Sequence, residues 1–196
     1  MKVIGLTGGI GSGKSTVAKV FHELFDIPIY HADERAKFLM QFDKSLKSKI
    51  IVIIGQEAYL PNNQLNKQYI AGKIFNDDKL LESVNQAVHQ QVEIDFKEWV
   101  NHQKTPYVLH EAAILIESGF HKHMDGVITV SAAEEIRIKR VQERDKLSSE
   151  QILQRINKQL TDVEREKEAR FVIINDESKS IIDQVSSIHK MIIKDE

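Results

Sequence analysis

The chain of 196 residues has no cysteine. That excludes disulfides, thiolate metal sites and cysteine nucleophiles together, and it accords with a reducing compartment. Long apolar runs are also missing: no stretch approaches the roughly 20 residues a membrane-spanning helix needs. Glycine-rich polar sequence interrupts the first apolar run within a few residues, so we expect no signal peptide. Charge of one sign is lacking too. A net charge of −2 gives no general electrostatic reason to bind nucleic acid, and Trp99 and the other aromatics do not interleave with a basic patch. The eight histidines are scattered; His121 and His123 stand two apart, and none has HExxH spacing, so no histidine metal site is expected. What remains is ordinary for a globular chain, 41% hydrophobic and 29% charged, of a length that suits one well-buried domain with a small insertion. We expect a soluble, cytoplasmic chain with neither nucleic acid nor membrane as partner; its oligomeric state is not legible.

The most informative segment present is Gly8-Gly9-Ile10-Gly11-Ser12-Gly13-Lys14-Ser15, directly after the apolar run Val3–Thr7. It fits GxxxxGK(S/T), the phosphate-binding P-loop, with a strand-like run before it and a helix-compatible stretch, Thr16 to Phe25, after it. Glycines let successive backbone N–H groups approach phosphates without a Cβ in the way, and the following helix adds its N-terminal partial charge. Lys14 can reach the β/γ-phosphates, and the Ser15 hydroxyl is placed to ligate Mg²⁺. The segment therefore predicts a nucleoside triphosphate site along Gly8 to Thr16.

Strand-like runs recur at Val3–Thr7, Ile27–His31, Tyr107–His110, Gly126–Val130 and Phe171–Ile174, mostly separated by helical patterns. This predicts a parallel five-stranded sheet covered by helices, the three-layer α/β class of P-loop proteins. Between Asp33 and Thr105 the rhythm breaks into a long, mostly helical insertion. Its run Ile50–Ile54 reads equally as a strand or a buried helical turn. Capping boxes at Ser131–Glu134, Ser148–Gln151 and Thr161–Glu164 mark three helix starts. Ile181, Val185, Ile188 and Ile192 share one face of a C-terminal helix.

Asp33 follows the second strand candidate, at the carboxyl edge where open α/β sheets bind ligands. It suits a general base for phosphoryl transfer, and it equally suits an N-cap for a helix starting at Glu34. Glu111 ends a third apolar run, a setting for an acid that holds Mg²⁺ or its waters, or for an ordinary exposed carboxylate; Glu117 carries the same alternatives. Arg137, Arg140 and Arg144 fall on one helical face. They would clamp a phosphoryl group or lie in a solvated helix laced with ion pairs. The DxxG and NKxD motifs of a GTPase switch are absent. A short chain with these parts looks like a small-molecule kinase.

At this level the sequence resembles the dephospho-coenzyme A kinase family over nearly its whole length. The resemblance rests on TGGIGSGKS, on His31-Ala32-Asp33, on Arg140-x3-Arg144-Asp145 and Arg155-x3-Gln159, and on Phe75 and His89 in the insertion. It implies ATP-dependent phosphorylation, with Mg²⁺, of the ribose 3′-hydroxyl of dephospho-CoA. Asp33 would be the base, Lys14 the phosphate-neutralising lysine, and Arg140 the lid arginine near the transferred phosphate. Gly9, Ile10, Gly11, Ser12, Gly13, Lys14, Ser15, Thr16 and Asn175 would bind ATP, and Asp33, His89 and Arg140 the acceptor. Ser15 would hold Mg²⁺ with waters, with Glu111 a further candidate. The implied organisation is a nucleotide-binding core at about 1–33, 106–135 and 165–196, an acceptor lobe at about 34–105 and a lid at about 136–164. This chain departs from the family pattern in four places. It has His89-Gln90 for His-Pro, Ala113 for a proline, Ala169-Arg170 for Ala-Asp, and no glycine after Asn175-Asp176. The alternatives are a P-loop kinase for another nucleotide or small metabolite, and a non-catalytic ATP-sensing protein.

Overall fold

The computed structural model describes residues 1–75 and 77–194. The strands are β1 (Lys2–Thr7), β2 (Ile29–His31), β3 (Tyr107–Glu111), β4 (Gly126–Ser131) and β5 (Phe171–Ile174). They form one sheet of order β2-β3-β1-β4-β5 in which every pairing is parallel. The second strand is shorter at its start than the apolar run that predicts it. Pro28 has no N–H to give a ladder and instead offers its carbonyl to Leu109 N at 3.0 Å.

The helices are α1 (Lys14–Phe25), α2 (Ala32–Phe42), α3 (Lys44–Ile54), α4 (Lys67–Ile74), α5 (Asp78–Asn101), α6 (Glu134–Asp145), α7 (Ser149–Ile156), α8 (Asp162–Glu168) and α9 (Ile181–Lys194). Strand alternation decides what covers each face of the sheet. Ile4, Leu6, Leu109, Ile128, Val130 and Ile173 point to one side. There they meet Val17, Ala18 and Phe21 of α1 and Val185, Ile188 and Ile192 of α9 in a single buried cluster. On the other side a Cβ on Gly5 would lie 2.4 Å from Leu115, so the segment after β3 packs there too closely for any side chain at position 5. Helix α8 packs along β4. These layers make the P-loop kinase α/β fold.

The chain divides into two compact units, one formed by Met1–His31 with the described residues from Gln103 on, the other by Ala32–His102. The second unit is helical. The ambiguous run Ile50–Ile54 is the end of α3, with Ile50 and Ile54 buried at helical spacing beside Leu46. Helix α5 runs without a break through His89-Gln90, so the absence of a proline there leaves the helix continuous. Arg35 of α2 donates to Asp95 of α5 through Nε at 2.9 Å and through Nη2 as well.

Two of the three expected capping boxes form, at Ser148–Gln151 and Thr161–Glu164. The one at Ser131 does not. Ser131 is the last residue of β4, paired with Ile174, and its hydroxyl donates to Glu166 at 2.8 Å. Helix α6 therefore starts from Ala133 without a side-chain cap.

Candidate active site

The P-loop connects β1 to α1, at the carboxyl ends of parallel strands. Gly13 takes φ +95°, and a Cβ there would lie 2.1 Å from Asn175 Nδ2. Glycine is required at this position for backbone angle and for space alike. Asn175 follows β5 and donates from Nδ2 to the Ser12 carbonyl at 2.7 Å, so the last strand end braces the loop. Lys14 Nζ donates to the Gly8 carbonyl at 2.9 Å, curling back over the concavity formed by the loop. Thr16 lies exposed on the first turn of α1.

Strand parity brings Glu111 to this loop. Tyr107, Leu109 and Glu111 alternate onto the α1 face, and Glu111 is the residue at the carboxyl end, where α1 begins. Its Oε1 accepts from the Ser15 hydroxyl at 3.0 Å, and its side chain is only 10% exposed. Neither of the two carboxylate oxygens is idle. His31, register partner of Glu111 on β2, points its Nδ1 at Oε2. Serine hydroxyl and carboxylate together are the hard oxygen donors that suit Mg²⁺, which keeps several waters when bound beside phosphates. Among the described residues no three His, Cys, Asp or Glu side chains gather as a metal-holding group.

Arg140 on α6 lies beside the loop. Its Nη1 donates to the Asn175 carbonyl at 2.9 Å and stands 4.0 Å from where a Cβ on Gly13 would be. Arg137, on the same helix face, has a different occupation. It is buried, donates to Asp162 at 3.2 Å, and fills the space beside Gly9, where a Cβ would meet its Nη1 at 2.0 Å. Asp162 also accepts from the fully buried Arg165 at 2.7 Å. Burial holds the Arg165 guanidinium below its usual range, opposed by Asp162 and Glu117. Glu117 stands 3.8 Å from Arg165 Nε and accepts from the Leu160 amide at 3.2 Å, so it serves in a structural ion cluster rather than as an exposed or metal-side acid. Of the predicted arginine face, Arg137 packs beside Gly9 and Arg140 lies near Gly13, while Arg144 pairs with its neighbour Asp145.

Asp33 is the second residue of α2, whose first residue directly follows β2. The helix starts at Ala32, two residues earlier than an Asp33 N-cap requires, and Asp33 is an acid of its first turn. His89 is exposed at the middle of α5 in the helical unit. Sequence reasoning set aside His31 as one scattered histidine among eight. Its parity with Ile29, opposite Leu109 and Glu111, was the available signal. The missing glycine after Asp176 has a structural counterpart: Glu177 takes φ +71°, the left-handed region that glycine adopts freely.

The sequence profile of the dephospho-CoA kinase family matches residues 2–180. A dephospho-CoA kinase of Bacteroides fragilis (strain YCH46) is 38% identical over 183 residues, covering 93% of this chain and 88% of the relative. A crystal structure of a Thermus thermophilus protein superposes with a TM-score of 0.83 at 28% identity, over 99% of this chain and 97% of that one. The dephospho-CoA kinase of Campylobacter jejuni shares the fold with a TM-score of 0.69 at 22% identity, covering 98% of each chain.

Proposed function

This chain belongs to the dephospho-CoA kinase family, a kinase of the final step of coenzyme A synthesis, and on that premise we propose how its residues divide the work. ATP lies along Gly8 to Thr16, contacted by Gly9, Ile10, Gly11, Ser12, Gly13, Lys14, Ser15 and Thr16, with Asn175 bordering the base end. The observation that carries this is the loop itself. Its left-handed Gly13, its carbonyl at Ser12 braced by Asn175, and Lys14 curled over it form a built anion cradle at the sheet's carboxyl edge.

The acceptor is the ribose 3′-hydroxyl of dephospho-CoA. Its oxygen attacks the γ-phosphorus, the bond to the β-bridging oxygen breaks, and ADP leaves. Asp33 receives the hydroxyl proton, and Lys14 and Arg140 balance the charge that spreads over the transferring group. Ser15 would hold Mg²⁺ with waters, with Glu111 a further candidate; when bound, the ion would supply charge neutralisation for the transferring phosphate. Residues from about 34 to 105, His89 among them, hold the acceptor. Those from about 136 to 164 act as a lid that excludes water. No helix among the described residues is long and apolar enough to cross a membrane; we place the enzyme in the cytoplasm, with ATP and dephospho-CoA as its small-molecule partners.

The deciding experiment is ADP release with purified protein, ATP and Mg²⁺, comparing dephospho-CoA with a panel of nucleosides, nucleotides and small alcohols. Release that depends on dephospho-CoA, with coenzyme A as product, supports the reading. Release driven better by another acceptor reassigns the substrate. ATP binding without any acceptor-dependent release turns the protein into a sensor.

A further inference from the structure

Glu111 holds two partners at once, and only one of them belongs to the P-loop. Its Oε1 takes the Ser15 hydroxyl, while His31 Nδ1 meets Oε2. A carboxylate only accepts, so Nδ1 carries the hydrogen of this contact. The arrangement follows from the fold. His31 and Glu111 are register partners on neighbouring parallel strands, so their side chains leave the same face of the sheet at its carboxyl end. A carboxylate with one anchored oxygen cannot rotate about its terminal torsion without breaking a charge-assisted contact. Its second oxygen is thereby fixed where it meets Ser15.

We propose that His31 is a positioning residue for the metal side of the phosphoryl-transfer site. It pins the Glu111 carboxylate, and Glu111 in turn orients the Ser15 hydroxyl so that a lone pair is presented for Mg²⁺. This rests on the reading of Ser15 and Glu111 as the metal-side pair. Partners in the shell behind a metal ligand commonly change metal affinity by about 10–100-fold when removed. The imidazole does this without touching the ion or the phosphates.

The test uses nucleotide binding without acceptor, so it does not depend on which alcohol is phosphorylated. Binding of Mn²⁺–ADP is followed by the electron paramagnetic resonance of bound Mn²⁺, and binding of ADP in chelator by calorimetry. His31→Leu removes the donor. His31→Asn places an amide N–H where Nδ1 stood. We expect His31→Leu to weaken Mn²⁺ binding about tenfold or more while metal-free ADP affinity and thermal midpoint stay near wild type. His31→Asn should restore most of the loss. Equal Mn²⁺ affinity in His31→Leu and wild type overturns the proposal, as does a parallel loss of metal-free ADP binding or a failure of His31→Asn to recover. Glu111→Gln in the same assay separates the two levels. If it weakens Mn²⁺ and His31→Leu does not, His31 is misassigned and the metal-side reading stands. If neither variant weakens it, both fall.

Discussion

Gln159 accepts a hydrogen bond from the backbone amide of Ile10 at 2.8 Å, joining the segment after α7 to the P-loop. The contact is doubled by packing, because the Ile10 side chain rests against the small core of Val141, Ile152 and Ile156 on α6 and α7. Removing the acceptor leaves a partly buried amide unpaired, a cost of about 1–3 kcal/mol that falls on loop geometry. Gln159→Ala should therefore lower kcat/KM for ATP about tenfold and lower the thermal midpoint by a few degrees. Gln159→Glu, which keeps an acceptor oxygen, should lose much less. Unchanged ATP kinetics in the alanine variant would show that the loop holds its shape without this contact.

Asp162 is the shared acceptor of two buried arginines. Arg165 is fully buried and Arg137 nearly so, and both donate to the same Oδ1. Breaking a buried pair from one side leaves uncompensated charge, at about 3–5 kcal/mol. Asp162→Ala should lower the stability measured by urea unfolding by about 3 kcal/mol or more. Glu164→Ala, which removes the exposed reciprocal half of the capping box on the same helix, should cost much less. Equal effects would mean that Arg165 is stabilised chiefly by Glu117 and its surroundings.

What could be read in the sequence was what local spacing encodes. The P-loop, the parity of five apolar runs and the helical stripe ending at Ile192 all lie within windows of a few turns or one strand, and each formed as an element. Contacts that depend on register did not show. Glu111 is 96 residues from Ser15 and 80 from His31, so only the strand order brings the three together. The run Ile50–Ile54 was undecidable because buried helix and buried strand share an apolar pattern, and the tertiary packing of Leu46, Ile50 and Ile54 decided it. Ser131 misled because its hydroxyl found Glu166 across the fold and its backbone stayed in the sheet.

His110 is buried on β3 between Tyr30 and Phe120, and burial pushes its pKa down to about 4 from an ordinary 6.5. The folded pKa is the lower one, so the unfolded chain binds this proton more readily. The contribution to stability is complete above pH 6.5 and is lost as pH falls from there through about 4. A shift of that size amounts to roughly 3 kcal/mol. Unfolding free energy measured at pH 7 and pH 4.5 should drop more steeply for the wild type than for His110→Phe. Parallel pH profiles would assign acid sensitivity to other groups.

Glu177 holds φ +71° in the turn after Asn175, where the Asp176 carboxylate accepts from the Ser178 amide at 3.0 Å. A left-handed non-glycine residue costs about 1–2 kcal/mol, and glycine returns part of that as unfolded-state entropy of about 0.5–1 kcal/mol. Glu177→Gly should thus stabilise the protein by up to about 1 kcal/mol, seen as a higher urea midpoint at unchanged slope. A lower midpoint would mean that the turn needs the Glu177 side chain more than it needs freedom at φ.

In the proposed mechanism Asp33 takes the acceptor proton, and its place in α2 separates that role from a capping one. As a first-turn acid, not the N-cap, it gains the favourable end-of-helix charge interaction of about 0.3–1 kcal/mol. Asp33→Asn keeps size and polarity while losing charge and basicity, so the helix should be little affected. ATP affinity should also hold, because the proposed nucleotide cradle, residues 8–16 with Asn175, does not include Asp33. If Asp33 takes the acceptor proton, kcat should fall by about 10²-fold or more at an almost unchanged thermal midpoint. A binding or structural role would instead raise KM for the acceptor or lower the midpoint. Full turnover by this variant removes Asp33 from the mechanism and leaves positioning and charge stabilisation by Lys14 and Arg140 as the source of rate.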